Sequence, residues 1–427
     1  MDKKFLFGVA TSSHQNEGNN FHNNWWSWEI QNNLERSGLA CNSWIDYKKD
    51  IDNVKELECN SYRFSIEWSR IYPIENKIDE DALNTYDNMI DYCLESGVQP
   101  MITLHHFTRP RWFDSKYGGL HNKIIVEYFK KYVKTVCKKF GHKVKWWITF
   151  NEPMLECVNG YIRGTRPPGK KFDYENMYKA LINILDSHCI AYDVIKKYNP
   201  RSMVSIAKNL VYFEKRYYYD VVKSKLEDQV INNFNWGLLD ALYKGYFQFG
   251  LNIAGIGIKK IKSRNEWIGK LDFLGINHYN IGYIDLNYSI QQPINVLLTI
   301  KDSKLMCNSL KWDIYPDSMD KILRSVKERY GQIKIVITES GSCEKRASLK
   351  DNKIHKHVMN THLMDAIYDR HVIGYMWWTL VDNYEWDDGW KPKFGLYRIF
   401  ERDGVMVREM KDSGIKYKTI ISDFFKE

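Results

Sequence analysis

Two glutamates stand at the ends of hydrophobic runs. Glu152 follows Trp146-Trp147-Ile148-Thr149-Phe150-Asn151 and precedes Pro153. The run reads as a buried strand, and the proline bars its continuation as a central strand. Glu339 closes a second run that reaches Thr338. Other runs end in His105-His106, in Asn277-His278-Tyr279 and, beyond Trp377-Trp378, in Asp382-Asn383-Tyr384-Glu385-Trp386. One glutamate after a strand is more often a surface or capping residue. Two of them, with polar groups at neighbouring strand ends, are hard to explain as packing. Two carboxyls facing one pocket suit glycoside hydrolysis: one carries a proton for the leaving oxygen, and the other is ionised to attack the anomeric carbon. The aromatic strand around Glu152 favours the protonated form, because desolvation disfavours charge. Arg63 is a plausible cationic neighbour for Glu339, and Tyr279 can donate a hydrogen bond to the same carboxylate. Opposed environments of this kind divide acid and nucleophile roles between two carboxyls. A retaining pair is expected about 5–5.5 Å apart, against about 6.5–9.5 Å for an inverting pair.

These residues need elements that bring them together. Strand-like runs lie at 5–11, 61–67, 98–104, 144–150, 203–207, 271–276, 333–338 and 372–379. Helical patterns lie between them: from about Asp46, from Asp79 to Gly97, along the lysine-rich stretch before residue 144, and at 174–198, 318–330 and 355–370. The stretch 210–270 is less regular, with at least one helix near 234–246. Strands alternating with helices predict parallel pairing. Eight of them over 427 residues point to an α/β (β/α)8 TIM barrel, a single domain across 1–427, with extended βα loops forming a cleft. Barrel active sites sit at the C-terminal rim, where both glutamates fall. A doubly wound open sheet is the alternative, but no glycine-rich turn of dinucleotide or P-loop spacing follows any strand.

Composition narrows the function classes. Hydrophobic content of 44% and charged content of 27% are those of an ordinary globular chain. The net charge of +9 is scattered, which argues against a nucleic-acid partner. Its densest run, Lys130 to Lys145, interleaves with Ile125, Phe129, Val133, Val136 and Phe140 and reads as the solvated face of a packed helix. The eight cysteines are spread singly, without zinc or redox spacing, and His105-His106 has no third ligand at useful spacing. No metal and no cofactor is expected. Met1-Asp2-Lys3-Lys4 leads straight into a strand, and no apolar run approaches the ~20 residues of a membrane span. The expectation is a cytoplasmic, reduced protein with no membrane partner. The aromatic content of 15% fills core, and its tryptophans also suit a pocket for sugar rings.

Thr149-Phe150-Asn151-Glu152-Pro153 and Ile337-Thr338-Glu339-Ser340-Gly341, in this order, resemble the two signature motifs of glycoside hydrolase family 1, the β-glucosidase and β-galactosidase family. The likeness runs from Phe5 to Leu396. It implies a retaining β-glycosidase with Glu152 as acid/base and Glu339 as nucleophile, and with Arg63, Asn277 and Tyr279 orienting the nucleophile. It implies that Gln15 holds the third and fourth sugar hydroxyls, His106 the third and Asn151 the second. Glu385 would take the fourth and sixth with Trp386 beside it, and Trp378 would form the platform between sugar and aglycone. The implied partner is a small-molecule or oligosaccharide β-glycoside, whether glucoside, galactoside or fucoside. An anionic Glu385 repels phosphate, so unphosphorylated sugars are expected. Phe107, Thr108, His278, Ser340 and Trp390 depart from the family pattern, and none of them removes a catalytic group. A catalytically retired binding protein and a transglycosylase are the alternative readings.

Overall fold

Eight parallel strands close into a barrel: β1 (Leu6–Ala10), β2 (Ser61–Ser65), β3 (Gln99–His105), β4 (Trp146–Asn151), β5 (Met203–Asn209), β6 (Leu274–Asn277), β7 (Ile335–Ser340) and β8 (Val372–Trp378). The structure is a computed structural model that describes residues 5–253, 256–257, 260–284, 305–350 and 352–426. The leading Met1-Asp2-Lys3-Lys4 lies outside the described residues. Barrel order follows chain order, and β8 returns to β1 with Leu6 opposite Gly374 and Ala10 opposite Trp378.

The strands are apolar almost throughout because a parallel barrel buries both of their faces. Side chains alternate along β4. Trp146 and Ile148 pack with Met101, Ala207, Val336 and Met376 from other strands, which forms the barrel interior. Trp147 and Phe150 join the outer core beneath the helices. All eight expected strands are present, with shifted ends. β6 begins only at Leu274: at Asp272 the side-chain carboxylate, not a backbone carbonyl, accepts from the Val204 N–H (2.8 Å), and it also pairs with Lys196 (2.8 Å). β7 continues through Glu339 to Ser340, so the carboxyl is carried by the strand itself.

Helices α1 (Ser43–Glu56), α2 (Glu80–Glu95), α3 (Ile125–Phe140), α4 (Tyr174–Tyr198), α5 (Gly237–Lys244) and α6 (Ser318–Tyr330) follow in chain order. Asp79 caps α2 by accepting from the Ala82 N–H (2.9 Å), and Gly97 ends the turn beyond it at φ 76°. The lysines of α3 face solvent and α2, where Lys139 reaches Asn84 (2.7 Å). The irregular stretch before β6 holds Val221–Ile231, a π turn at Asn232–Trp236, α5, and a hairpin of Tyr246–Phe249 with Lys260–Ser263. The helix expected at 355–370 is present as one helical run from Lys353 to Tyr368, with a π turn at Met359–Leu363 in its middle. At that turn the His362 ring meets Ser318 Oγ (3.1 Å) and the Tyr315 carbonyl (3.0 Å). α7 (Asp412–Lys426) closes the chain, and the Tyr417 hydroxyl donates to the Gly8 carbonyl (2.8 Å). Among the described residues, no helix is long and apolar enough to cross a membrane.

Candidate active site

The C-terminal rim surrounds a cavity of about 700 Å³. Eight residues singled out in the sequence line it: His106, Asn151, Glu152, Tyr279, Glu339, Trp378, Glu385 and Trp386. Gln15, Arg63 and Asn277 stand behind them, each fully buried, and reach the lining through hydrogen bonds. Arg63 Nη1 donates to Glu339 Oε1 (2.6 Å) and to the Thr338 carbonyl (2.9 Å), and Nη2 donates to Asn151 Oδ1 (2.7 Å). The Tyr279 hydroxyl donates to Glu339 Oε2 (2.6 Å). Asn277 Nδ2 donates to Glu152 Oε1 (3.0 Å) and to Asn151 Oδ1 (3.1 Å), and Asn277 stands opposite Glu339 in the β6–β7 pairing. Thr338 Oγ1 donates to Asn277 Oδ1 (2.7 Å) and fixes which way the amide faces.

The other end of the cavity combines polar side chains with stacked rings. Gln15 Nε2 donates to Glu385 Oε2 (3.0 Å) and to the Tyr384 carbonyl (2.8 Å). The His106 ring stacks on Trp378 (5.7 Å) and on Trp386 (6.1 Å), and its Nε2 accepts from Asn151 Nδ2 (3.1 Å). Trp386 is backed by Trp25 (4.8 Å), His14 (5.5 Å) and Phe107 (5.2 Å). Three lining residues hold positive φ without being glycine: Glu152 (44°), Phe107 (68°) and Trp386 (47°). Such backbone costs roughly 1–3 kcal/mol per residue and persists where its surroundings over-determine it. Gly341 is needed next to Glu339-Ser340, because a Cβ there would lie 2.3 Å from the Trp378 carbonyl oxygen.

Residues 1–424 match the family model described as glycosyl hydrolase family 1. The chain belongs to that family. Beta-glucosidase A of Thermotoga maritima is 29% identical over 98% of this chain and 97% of its own length. Beta-glucosidase 12 of Oryza sativa subsp. japonica is 30% identical over 94% of this chain and 89% of its own. Among solved structures, a β-glycosidase from Pyrococcus horikoshii superposes with a TM-score of 0.86 at 33% identity, covering 99% of this chain and 94% of that one. A rice β-glucosidase variant in a covalent complex with glucose superposes at 0.85 with 26% identity, covering 98% of each chain. This family 1 chain is therefore a hydrolase of the β-glucosidase kind on a (β/α)8 barrel.

The two family 1 carboxyls differ in what touches them. Burial, reinforced by the Glu339 charge, pushes Glu152 up to about 7, against the Asn277 amide and the more distant Lys208 and Arg166. Burial also raises Glu339, but Arg63 and Tyr279 bond it directly and favour its charge. Burial pushes Glu385 up to about 8, with Asp388 and Glu339 adding to the rise and Arg166 and Gln15 opposing it. Among the described residues no cation bonds Glu385 directly, and burial disfavours the charge that the sequence leads one to expect on it. His106 is neutral, driven well below its usual value by burial and by the Arg63 charge.

His105 faces away from the cavity, and its Nε2 meets Glu156 Oε2 (2.9 Å). Among the described residues, no cluster of His, Cys, Asp or Glu could hold a metal. Cys343 is buried, and burial pushes its thiol up to about 12, which leaves it inert. Trp377 is core, with its Nε1 donating to the Phe394 carbonyl (3.2 Å). Trp25 backs the site, Trp28 lines it, and Trp26 packs on Phe21 (4.7 Å) instead.

Sequence reasoning missed one whole wall of the cavity: Asn159, Arg163, Arg166, Asn209 and Phe234. Asn159 and Arg163 come from a π turn, Val158–Arg163, and Phe234 comes from another. Arg166 lies over Phe107 (5.3 Å), Trp25 (5.8 Å) and Trp386 (5.9 Å), and its Nε donates to Asp387 Oδ2 (3.0 Å). One signal was available. Lys208-Asn209 follows an apolar run as His105-His106 and Asn151-Glu152 do, and it marks the rim end of β5.

Proposed function

We propose that the chain is a retaining β-glycosidase acting by double displacement. The observation that carries this reading is Asn277, whose amide bonds the Glu152 carboxyl and whose backbone pairs with Glu339 on the neighbouring strand, so that it links two buried carboxyls of opposite surroundings. Such a link favours the short span of double displacement, about 5–5.5 Å, over the longer span that must admit a water. Glu339, held ionised by Arg63 and Tyr279, attacks the anomeric carbon. The bond from that carbon to the leaving oxygen breaks, its electron pair goes to the oxygen, and Glu152 delivers a proton there. The product is a glycosyl ester on Glu339, and Glu152 is left as a carboxylate. It then takes a proton from a water whose oxygen attacks the same carbon, and the ester bond breaks to restore Glu339.

Gln15, His106, Asn151 and Glu385 hold the sugar hydroxyls, and Trp378 and Trp386 cover its apolar faces. Glu385, Asp387 and Asp388 outnumber Arg163 and Arg166 at this rim, and Arg166 is already paired with Asp387, which disfavours a phosphorylated sugar; the proposed substrates are unphosphorylated β-glucosides, β-galactosides or β-fucosides. The chain works as one catalytic domain. It does so in the cytoplasm, where its unpaired cysteines stay reduced. A panel of aryl β-glycosides tests the activity, and a 2-fluoro β-glucoside tests the mechanism by trapping an ester on Glu339. Glu339→Ala is expected to abolish turnover. Undiminished hydrolysis by that variant would refute the assignment.

A further inference from the structure

We propose that Lys208 is a positioning residue for Glu152, a cation sealed behind the pocket wall that governs when this carboxyl gives up and takes back its proton. The proposal rests on the reading of Glu152 as acid/base. Lysines are almost never fully buried unless their charge is compensated. Lys208 is fully buried on β5, and its ammonium donates to the Asn209 carbonyl and faces the Phe234 ring at 5.0 Å. Neither partner carries a charge. Asn209 and Phe234 line the same cavity as Glu152, so the ammonium lies one side chain behind the surface that substrate meets. The backbone sets this proximity: the Glu152 N–H donates to the carbonyl of Ala207, the residue before Lys208 (2.8 Å).

The groups facing Glu152 come from four directions. Glu339 repels its charge from β7, and Asn277 bonds it from β6. Tyr279, bonded to Glu339, keeps its own proton. Arg166 attracts the charge from the rim, and Lys208 attracts it from β5. The Arg166 side chain is 15% exposed and is already paired with Asp387, so its field is shared and screened. Among the described residues, Lys208 has no such competitor. Burial lowers its ammonium to about 7 against the pull of Glu152, and Glu152 itself stands at about 7. The two groups therefore titrate as a pair around neutrality. When Glu152 donates its proton, Lys208 compensates the new carboxylate without occupying its lone pairs. The same cation eases the carboxylate's wait for water in the second step.

The test is the pH profile of kcat/KM on phenyl β-glucoside for the wild type, Lys208→Met and Glu152→Gln. Glu152→Gln is expected to remove the basic limb. Lys208→Met is expected to move it up by about one pH unit, the size of one charge acting across roughly 10 Å of protein at an effective dielectric constant of about 20. A limb that vanishes in Glu152→Gln but keeps its position in Lys208→Met overturns the proposal and leaves the acid/base reading intact. A limb that survives Glu152→Gln overturns that reading, and the proposal with it. Carbon-13 NMR of lysine ε-carbons gives a second readout that needs no change at Lys208. By reciprocity, the lysine titrating near neutral pH in the wild type should fall by about one unit in Glu152→Gln. An unchanged titration overturns the proposal, even if Lys208→Met fails to fold.

Discussion

Replacing Tyr279 by Phe removes one oxygen, and with it the 2.6 Å hydrogen bond to Glu339 Oε2. The ring remains to pack against Trp312 (6.0 Å) and Phe394 (6.3 Å), so the cavity keeps its shape. A hydrogen bond to a charged group contributes about 1.5–3 kcal/mol. One pKa unit corresponds to about 1.4 kcal/mol, so ionised Glu339 should lose about one to two units of preference. The sign follows from which form is bonded. The hydroxyl donates to the carboxylate, so its loss raises the pKa and the ionised nucleophile persists only at higher pH. The acid limb of kcat/KM, which reports the free enzyme, is expected to move up by about one to two units. On that flank, where the rate falls tenfold per pH unit, this lowers kcat/KM by about 10- to 100-fold. The basic limb, set by Glu152 at about 7, stays near its place, so the bell narrows from one side. The assay is initial-rate hydrolysis of an aryl β-glucoside across pH, with thermal unfolding as a check on the fold. An acid limb that stays in place would show that the Tyr279 bond does not serve the ionised nucleophile. A limb that moves down would mean that the bond favours the neutral form.

Two further outcomes follow from the same geometry. Glu152→Gln should lower kcat/KM by about 10²–10⁴-fold on an alkyl β-glucoside, whose leaving oxygen needs a proton, and far less on a nitrophenyl β-glucoside; equal losses on both would argue against proton donation by this residue. Of the eight cysteines, Cys307 alone is exposed, so a thiol reagent should find one fast-reacting group in the native protein and all eight after denaturation; several fast thiols would contradict the burial of the others.

The barrel was legible because parallel strands buried on both faces leave long apolar runs, and all eight were visible. What those runs do not show is where a ladder ends. Asp272 lies inside an apolar run, yet its carboxylate takes the Val204 N–H where a regular ladder would use a backbone carbonyl, so β6 starts late. Lys208 fails in the opposite sense. A lysine ordinarily marks the end of a buried strand, and the expected strand stopped before it, although β5 carries it fully buried to the rim. Asn159, Arg163 and Phe234 reach the pocket through π turns, whose period matches neither a helix nor a strand pattern. The catalytic end was readable for a different reason. Each of its groups sits at a strand terminus, where position along the chain maps directly onto position around the rim. Glu385 shows the limit of that map: its residue type was clear, but its protonation depends on which charges the fold leaves beside it.

The proposed division of labour between the two carboxyls rests on how each meets positive charge. Both are buried and both are raised by burial, so desolvation alone cannot separate an acid from a nucleophile. Their mutual repulsion permits one proton between them without deciding its owner. Arg63 decides it, because a guanidinium in contact at 2.6 Å favours the ionised form of Glu339 far more than any charge acting across a side chain. Direct contact suits a nucleophile that must be ionised before substrate arrives and must keep one orientation. It would disable the other carboxyl: an oxygen bound tightly to a cation neither holds a proton nor is free to take one back. Glu152 meets only an amide at close range, and its cations act from farther away. In the proposed mechanism, through-space charge lets the proton leave and return, and it keeps the carboxyl oxygens available first to the leaving group and then to water.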